Sequence, residues 1–120
     1  MRLNQRPFSV TVIAWLYLAM GVVGFVYHII MQRSLHPFPY DLLWVELIFL
    51  AAILSGAYML RGHNWARWLA LAWMAFHVVL SIFHNIPELA VHALLCAVLA
   101  FFLFRSAASR YFRPARPKPA

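Results

Sequence analysis

Six histidines, three acids and one cysteine are the side chains of this 120-residue chain whose types could bind a metal ion, carry a proton or assist a reaction. Their spacing groups several of them. His77 and His84 are seven residues apart and would share one face of a helix. Glu88, His92 and Cys96 follow the i, i+4, i+8 pattern of a single helical stripe. Imidazole, carboxylate and thiolate together suit zinc, copper or iron, and two imidazoles on different helices could hold a haem. The candidate metal ligands are therefore His77, His92, Glu46 and His84, with Cys96 as a further donor. Neither HExxH nor a paired CxxC is present, so the signal is one of clustering and not of motif. The plain alternative is that such groups, near a membrane interface, are hydrated, hydrogen-bonded between helices or snorkelling to water. By default no cofactor is required; a transition metal or haem is the alternative.

Reaction motifs are missing. The chain has no GxSxG, no glycine-rich phosphate loop and no Asp-rich metal motif. Ser81 lies four residues from both His77 and Asn85, but a hydroxyl beside an imidazole on one helix is common. No catalytic residue is assigned, and the chain reads as one without catalysis of its own.

The elements that must position these groups follow from composition. Apolar residues make up 65% of the chain and charged residues 11%, against about 45–50% and about 25% in soluble domains. A fold this small has too little interior to hide that much apolar surface, and disorder needs the opposite balance. The expectation is an integral membrane protein, all-α, with four transmembrane helices in an antiparallel bundle. The spans fall at about 8–31, 41–61, 65–84 and 87–105, each near the ~20 residues that a bilayer requires. Residues 1–7 form a short N-terminal segment and 106–120 a basic, Pro-rich tail. Helices are the workable choice because an open sheet in lipid leaves backbone groups unpaired. The first run exceeds the usual apolar core of a signal peptide and lacks a small-x-small cleavage site, so it reads as a retained span. Asp41 and Asn64 suit the N-caps of the second and third helices, and Gly62 the C′ position ending the second. Asn85 suits the N-cap of the fourth, with Glu88 in its first turn.

Charge orients the spans. Nine of the ten basic residues (Arg2, Arg6, Arg61, Arg67, Arg105, Arg110, Arg113, Arg116 and Lys118) flank one side, and only Arg33 the other. By the positive-inside rule both termini are cytoplasmic. The net charge of +7 thus reports orientation and not nucleic acid. Arg110, Arg113, Arg116 and Lys118, with Arg61 and Arg67, are expected to contact anionic lipid at the cytoplasmic face. In this frame the three acids and five of the six histidines lie in the outer half, where Glu46, His77 and His92 reach similar depth and are expected to pair. Small residues at helical spacing (Ala52 and Gly56, Ala66 and Ala70, Ala93, Ala97 and Ala100) supply faces for close helix packing.

Arg6-Pro7 followed by Val10-Thr11, and the later stretch Leu60-Arg61-Gly62-His63-Asn64-Trp65-Ala66-Arg67-Trp68-Leu69, carry a resemblance. The chain resembles a group of small uncharacterised four-span bacterial inner-membrane proteins, in which an Arg-x-x-x-Trp-Ala-Arg-Trp-like segment joins two spans on the cytoplasmic side. The resemblance implies a multi-pass inner-membrane location with both termini inside; the group carries no activity to transfer. The functional expectation is a non-catalytic accessory or interaction subunit, or a homo-oligomer, whose partners are the bilayer, a membrane protein or itself. The alternative is a redox, metal- or haem-binding, or proton- or substrate-transport protein built on the outer His/Glu cluster.

Overall fold

A computed structural model of the protein describes residues 5–33 and 41–114. It is all-helical: α1 (Phe8–Gln32), α2 (Asp41–Leu60), α3 (Asn64–Ile82), α4 (Ile86–Phe104) and α5 (Ser106–Phe112). The first four are long and apolar enough to cross a membrane. Pro7, in extended conformation, precedes α1, where its missing N–H costs nothing. Asp41 begins α2, but its capping role and the interruption at Pro37 and Pro39 lie outside the described residues or side chains.

The turns show why the helices stop where they do. After α2, Gly62 takes φ +81°, and its N–H bonds Met59 O while His63 N–H bonds Tyr58 O. This pair of bonds closes a Schellman motif, with glycine in the left-handed position that other residues avoid. Asn64 does not cap α3. It is already helical, His63 precedes it in extended conformation, and the Asn64 Oδ1 is buried without a partner. The helix therefore begins one residue earlier than expected, directly after the Schellman turn. Asn85 does cap α4: its Oδ1 accepts the Glu88 N–H at 2.8 Å, and its Nδ2 donates to Glu88 Oε2 at 3.4 Å. At Arg105 a single extended residue separates α4 from α5.

Helices α1 and α2 approach most closely. A Cβ on Gly56 would stand 2.5 Å from Ala14 O, and one on Gly21 2.9 Å from Ile53 N. Only a hydrogen at these positions lets the two backbones meet. Gly56→Ala is therefore expected to force the pair apart and cost about 1–3 kcal/mol; detergent-dependent unfolding followed by circular dichroism should show it, and an unshifted midpoint would refute this account of the seam.

A phenol and an indole donor tie α3 to α1 and to α2. Tyr17 Oη donates to Ala70 O at 2.7 Å, and Trp73 Nε1 to Ile48 O at 2.8 Å. The two rings meet edge to face at 5.4 Å. With Val10, Ile13, Ala14, Met59 and Leu103 they belong to one buried core. Ala66 and Ala70 are fully buried, as is Ala52, so these small residues serve packing.

The tail departs from expectation. Its first seven residues form α5, which folds back so that Ala108 and Phe112 are buried four residues apart. Tyr111 Oη reaches Met59 O and Leu60 O at 3.0 and 2.8 Å. The terminal carbonyls of α2 lack partners within their own helix, and a phenol on an amphipathic helix satisfies them. Residues 115–120, including Arg116 and Lys118, lie outside the described residues.

Candidate functional site

At the α3–α4 turn, polar groups from both helices converge. Ser81, on α3, is buried and donates to His77 O at 2.7 Å, the back-bond of a helical serine. The same oxygen lies 2.6 Å from His92 Nδ1 on α4 and 3.5 Å from Glu88 Oε1. Glu88 Oε1 is also 3.2 Å from His84 Nδ1 and 4.0 Å from His92 Nδ1. His84 and Glu88 are partly exposed, so their pair contributes under about 1 kcal/mol.

The proton positions follow from donor and acceptor chemistry. Ser81 has one proton and places it toward a carbonyl that can only accept, so the short contact to His92 requires that His92 Nδ1 be the donor. His77 Nδ1 lies 2.8 Å from Trp73 O, again an acceptor, and so it too carries hydrogen. In their neutral forms both imidazoles therefore hold the lone pair on Nε2. Their ring centroids are 5.9 Å apart.

Both rings open onto one cavity of about 410 Å³ to which all four long helices contribute. Met20 comes from α1, Val45, Ile48 and Phe49 from α2, Trp73, Met74 and His77 from α3, and His92 and Leu95 from α4. Among the described residues the two imidazoles and the Trp73 indole are its only side chains bearing nitrogen or oxygen, and Trp73 has committed its N–H to Ile48. The lining is otherwise apolar, with two thioethers.

Of the four expected ligands, His77 and His92 face each other. His84 pairs with Glu88 at the turn, and Glu46 makes no hydrogen bond to any described residue. Glu46 lies three and seven residues before Phe49 and Ile53, which pack against Gly24 and Gly21 of α1. Its two carboxylate oxygens are enclosed and bond neither histidine, and they have no partner among the described residues. His28, whose ring lies tilted 5.2 Å from that of Phe49, has a buried Nδ1 without a partner among the described residues near the same end of this seam. The expected Glu46–His77–His92 pairing is thus replaced by Ser81–His92–Glu88, because α2 turns Glu46 toward α1. Among the described residues no group of three or more His, Cys, Asp and Glu is arranged to hold a metal ion. Cys96 lies on the groove between α3 and α4, beside Ala75, Ala93, Ala97 and Ala100.

Arg67 also departs from expectation. It does not face lipid: it is 3% exposed. Its Nη1 donates to Leu103 O and to Ser109 Oγ, both at 3.1 Å. Its guanidinium carbon lies 4.5 Å from the Phe104 ring centre and 5.3 Å from that of Phe112. Arg67 is the anchor on which α5 docks, whereas Arg61, Arg110 and Arg113 remain exposed.

Spacing could have suggested Ser81, since it precedes the short turn by about as much as Glu88 follows it. Trp73, Met20 and Met74 carry no such signal and become visible only when four helices surround one space. Comparison of the chain with known protein families, curated proteins and solved structures gives no significant match.

Proposed function

We propose that the protein is a multi-pass bacterial inner-membrane protein, an antiparallel four-helix bundle with both termini cytoplasmic. It acts without catalysis, as an interaction subunit that packs against a further membrane helix, either a second copy or a partner chain. The observation that carries this reading is the state of α4. Only 11% of its most apolar window is buried, against 33% for α3. Beside it, Ala75, Ala93, Ala97 and Ala100 line an open apolar groove of about 540 Å³. Small side chains there permit the close backbone approach on which helix association in lipid depends.

Native mass spectrometry of the full chain extracted from membranes tests this. A complex heavier than the 13.9 kDa monomer is expected, and Ala93→Leu with Ala97→Leu should return it to monomer by filling the groove. A monomer alone in the parent protein would sink the proposal.

The topology rests on the nine-to-one distribution of basic residues. Reporter fusions at Ala120 and within residues 61–64 should behave as cytoplasmic, and one between Ser34 and Pro39 as periplasmic; external labelling of the turn at His63 would reverse the assignment. Exposed Arg61, Arg110 and Arg113, at the same end, support contact with anionic lipid headgroups.

A further inference from the structure

The cavity shared by the four long helices is lined by two imidazoles and two thioethers, and we infer that it is a binding site for a single cuprous ion. The argument begins with the imidazoles. Each has its Nδ1 hydrogen bonded, His77 to Trp73 O at 2.8 Å and His92 to Ser81 Oγ at 2.6 Å. Histidines that ligate metals are held this way: the outer bond sets the tautomer, orients the ring and leaves Nε2 for the ion. Ser81 is in turn fixed by its bond to His77 O, so the two ligands share one support.

Distance agrees. With metal–nitrogen bonds of about 2.0 Å, imidazoles on one ion have centroids roughly 5 to 6.3 Å apart between tetrahedral and linear geometry. The observed 5.9 Å lies within this range.

The nature of the ion follows from the remaining donors and from charge. Met20 and Met74 line the same cavity and supply soft sulfur, which favours Cu(I) over harder cations. Zinc prefers four nitrogen, sulfur-anion or oxygen ligands, and among the described residues no third His, Cys, Asp or Glu joins these two histidines in such a set. A charge in an apolar space needs a counter-charge. Glu88, 4.0 Å from His92 Nδ1, supplies one, which balances a monovalent ion. The site is complete within one chain and does not rest on the packing proposed above; a monomer would bind copper as well as an oligomer.

The test is a titration of the purified full chain in detergent with Cu(I), kept reduced by ascorbate, in competition with a chromogenic cuprous chelator. One ion per chain is expected. His77→Ala and His92→Ala should each weaken binding at least 100-fold. Met20→Leu with Met74→Leu, which conserves volume and so keeps the fold, should weaken it roughly 10-fold. Ser81→Ala should weaken it about 10- to 100-fold through the orientation of His92. X-ray absorption of the loaded protein should show nitrogen and sulfur neighbours. Uptake no greater than that of the His77→Ala/His92→Ala double variant would overturn the inference. So would a copper shell without sulfur, full affinity in the double-methionine variant, or tighter retention of Zn(II) than of Cu(I).

Discussion

Trp73→Ala is expected to destabilise the protein by about 3–5 kcal/mol, the cost of emptying a large core position. Trp73 is 8% exposed and touches neighbours on three helices. Its indole N–H is bonded to Ile48 O on α2, its edge meets Tyr17 of α1, and its face lies 4.0 Å from the His77 ring. Removing the ring therefore loosens α3 from both α1 and α2 and enlarges the cavity beside His77. Trp73→Phe keeps most of the apolar contact and loses the hydrogen bond, at about 1 kcal/mol. Unfolding in mixed detergent micelles, monitored by far-ultraviolet circular dichroism, distinguishes the two. Equal midpoints for the Ala and Phe variants would show that the ring does not organise the core.

Arg67→Ala should cost about 3 kcal/mol, from two charge-assisted hydrogen bonds worth roughly 1.5–3 kcal/mol each, partly offset by rehydration of their acceptors. The loss should be local. Arg67 joins α3 to the end of α4 through Leu103 O and to α5 through Ser109 Oγ, with the Phe104 and Phe112 rings against its cation. Without it α5 has Tyr111 alone to hold it to the α2–α3 turn. Trypsin should then cut at Arg105 and Arg110 at least 10-fold faster than in the parent protein, while the four long helices persist. Arg67→Lys should behave more like alanine than like arginine, because a point charge on a flexible stem cannot bridge both acceptors and lie flat between two rings. Unchanged cleavage in both variants would refute the anchoring role.

Arginine 67 also illustrates where sequence reasoning stops. Its position beside a glycine-containing turn and among other basic residues is that of a headgroup contact. Burial depended on whether the residues after Arg105 would fold back, and Ser106–Phe112 is too short to hold a helix alone. That helix exists because the carbonyls of Met59 and Leu60 at the end of α2, and the cation of Arg67, give it something to bind.

The local signals in the chain were sufficient for much else. Four apolar runs, with Gly62 and Asn85 between them, determined the number, extent and two of the turns of the long helices, because backbone bonding in an apolar medium permits little besides helices and because the left-handed and N-cap positions have strong residue preferences. The helical stripe of Glu88 and His92 was legible for the same reason: spacing along one helix is a property of the chain. What spacing cannot carry is rotation, the direction in which each helix turns its faces. Gly21, Gly24 and Gly56 set that rotation for α1 and α2, and it directs Glu46 to the α1 seam and away from His77 and His92. The tertiary structure alone decided that His92 meets Ser81, that Met20 and Met74 share a space with both imidazoles, and that Arg67 is enclosed. These are contacts between helices, settled by how closely particular side chains let two backbones approach, and no periodicity within a single helix encodes them.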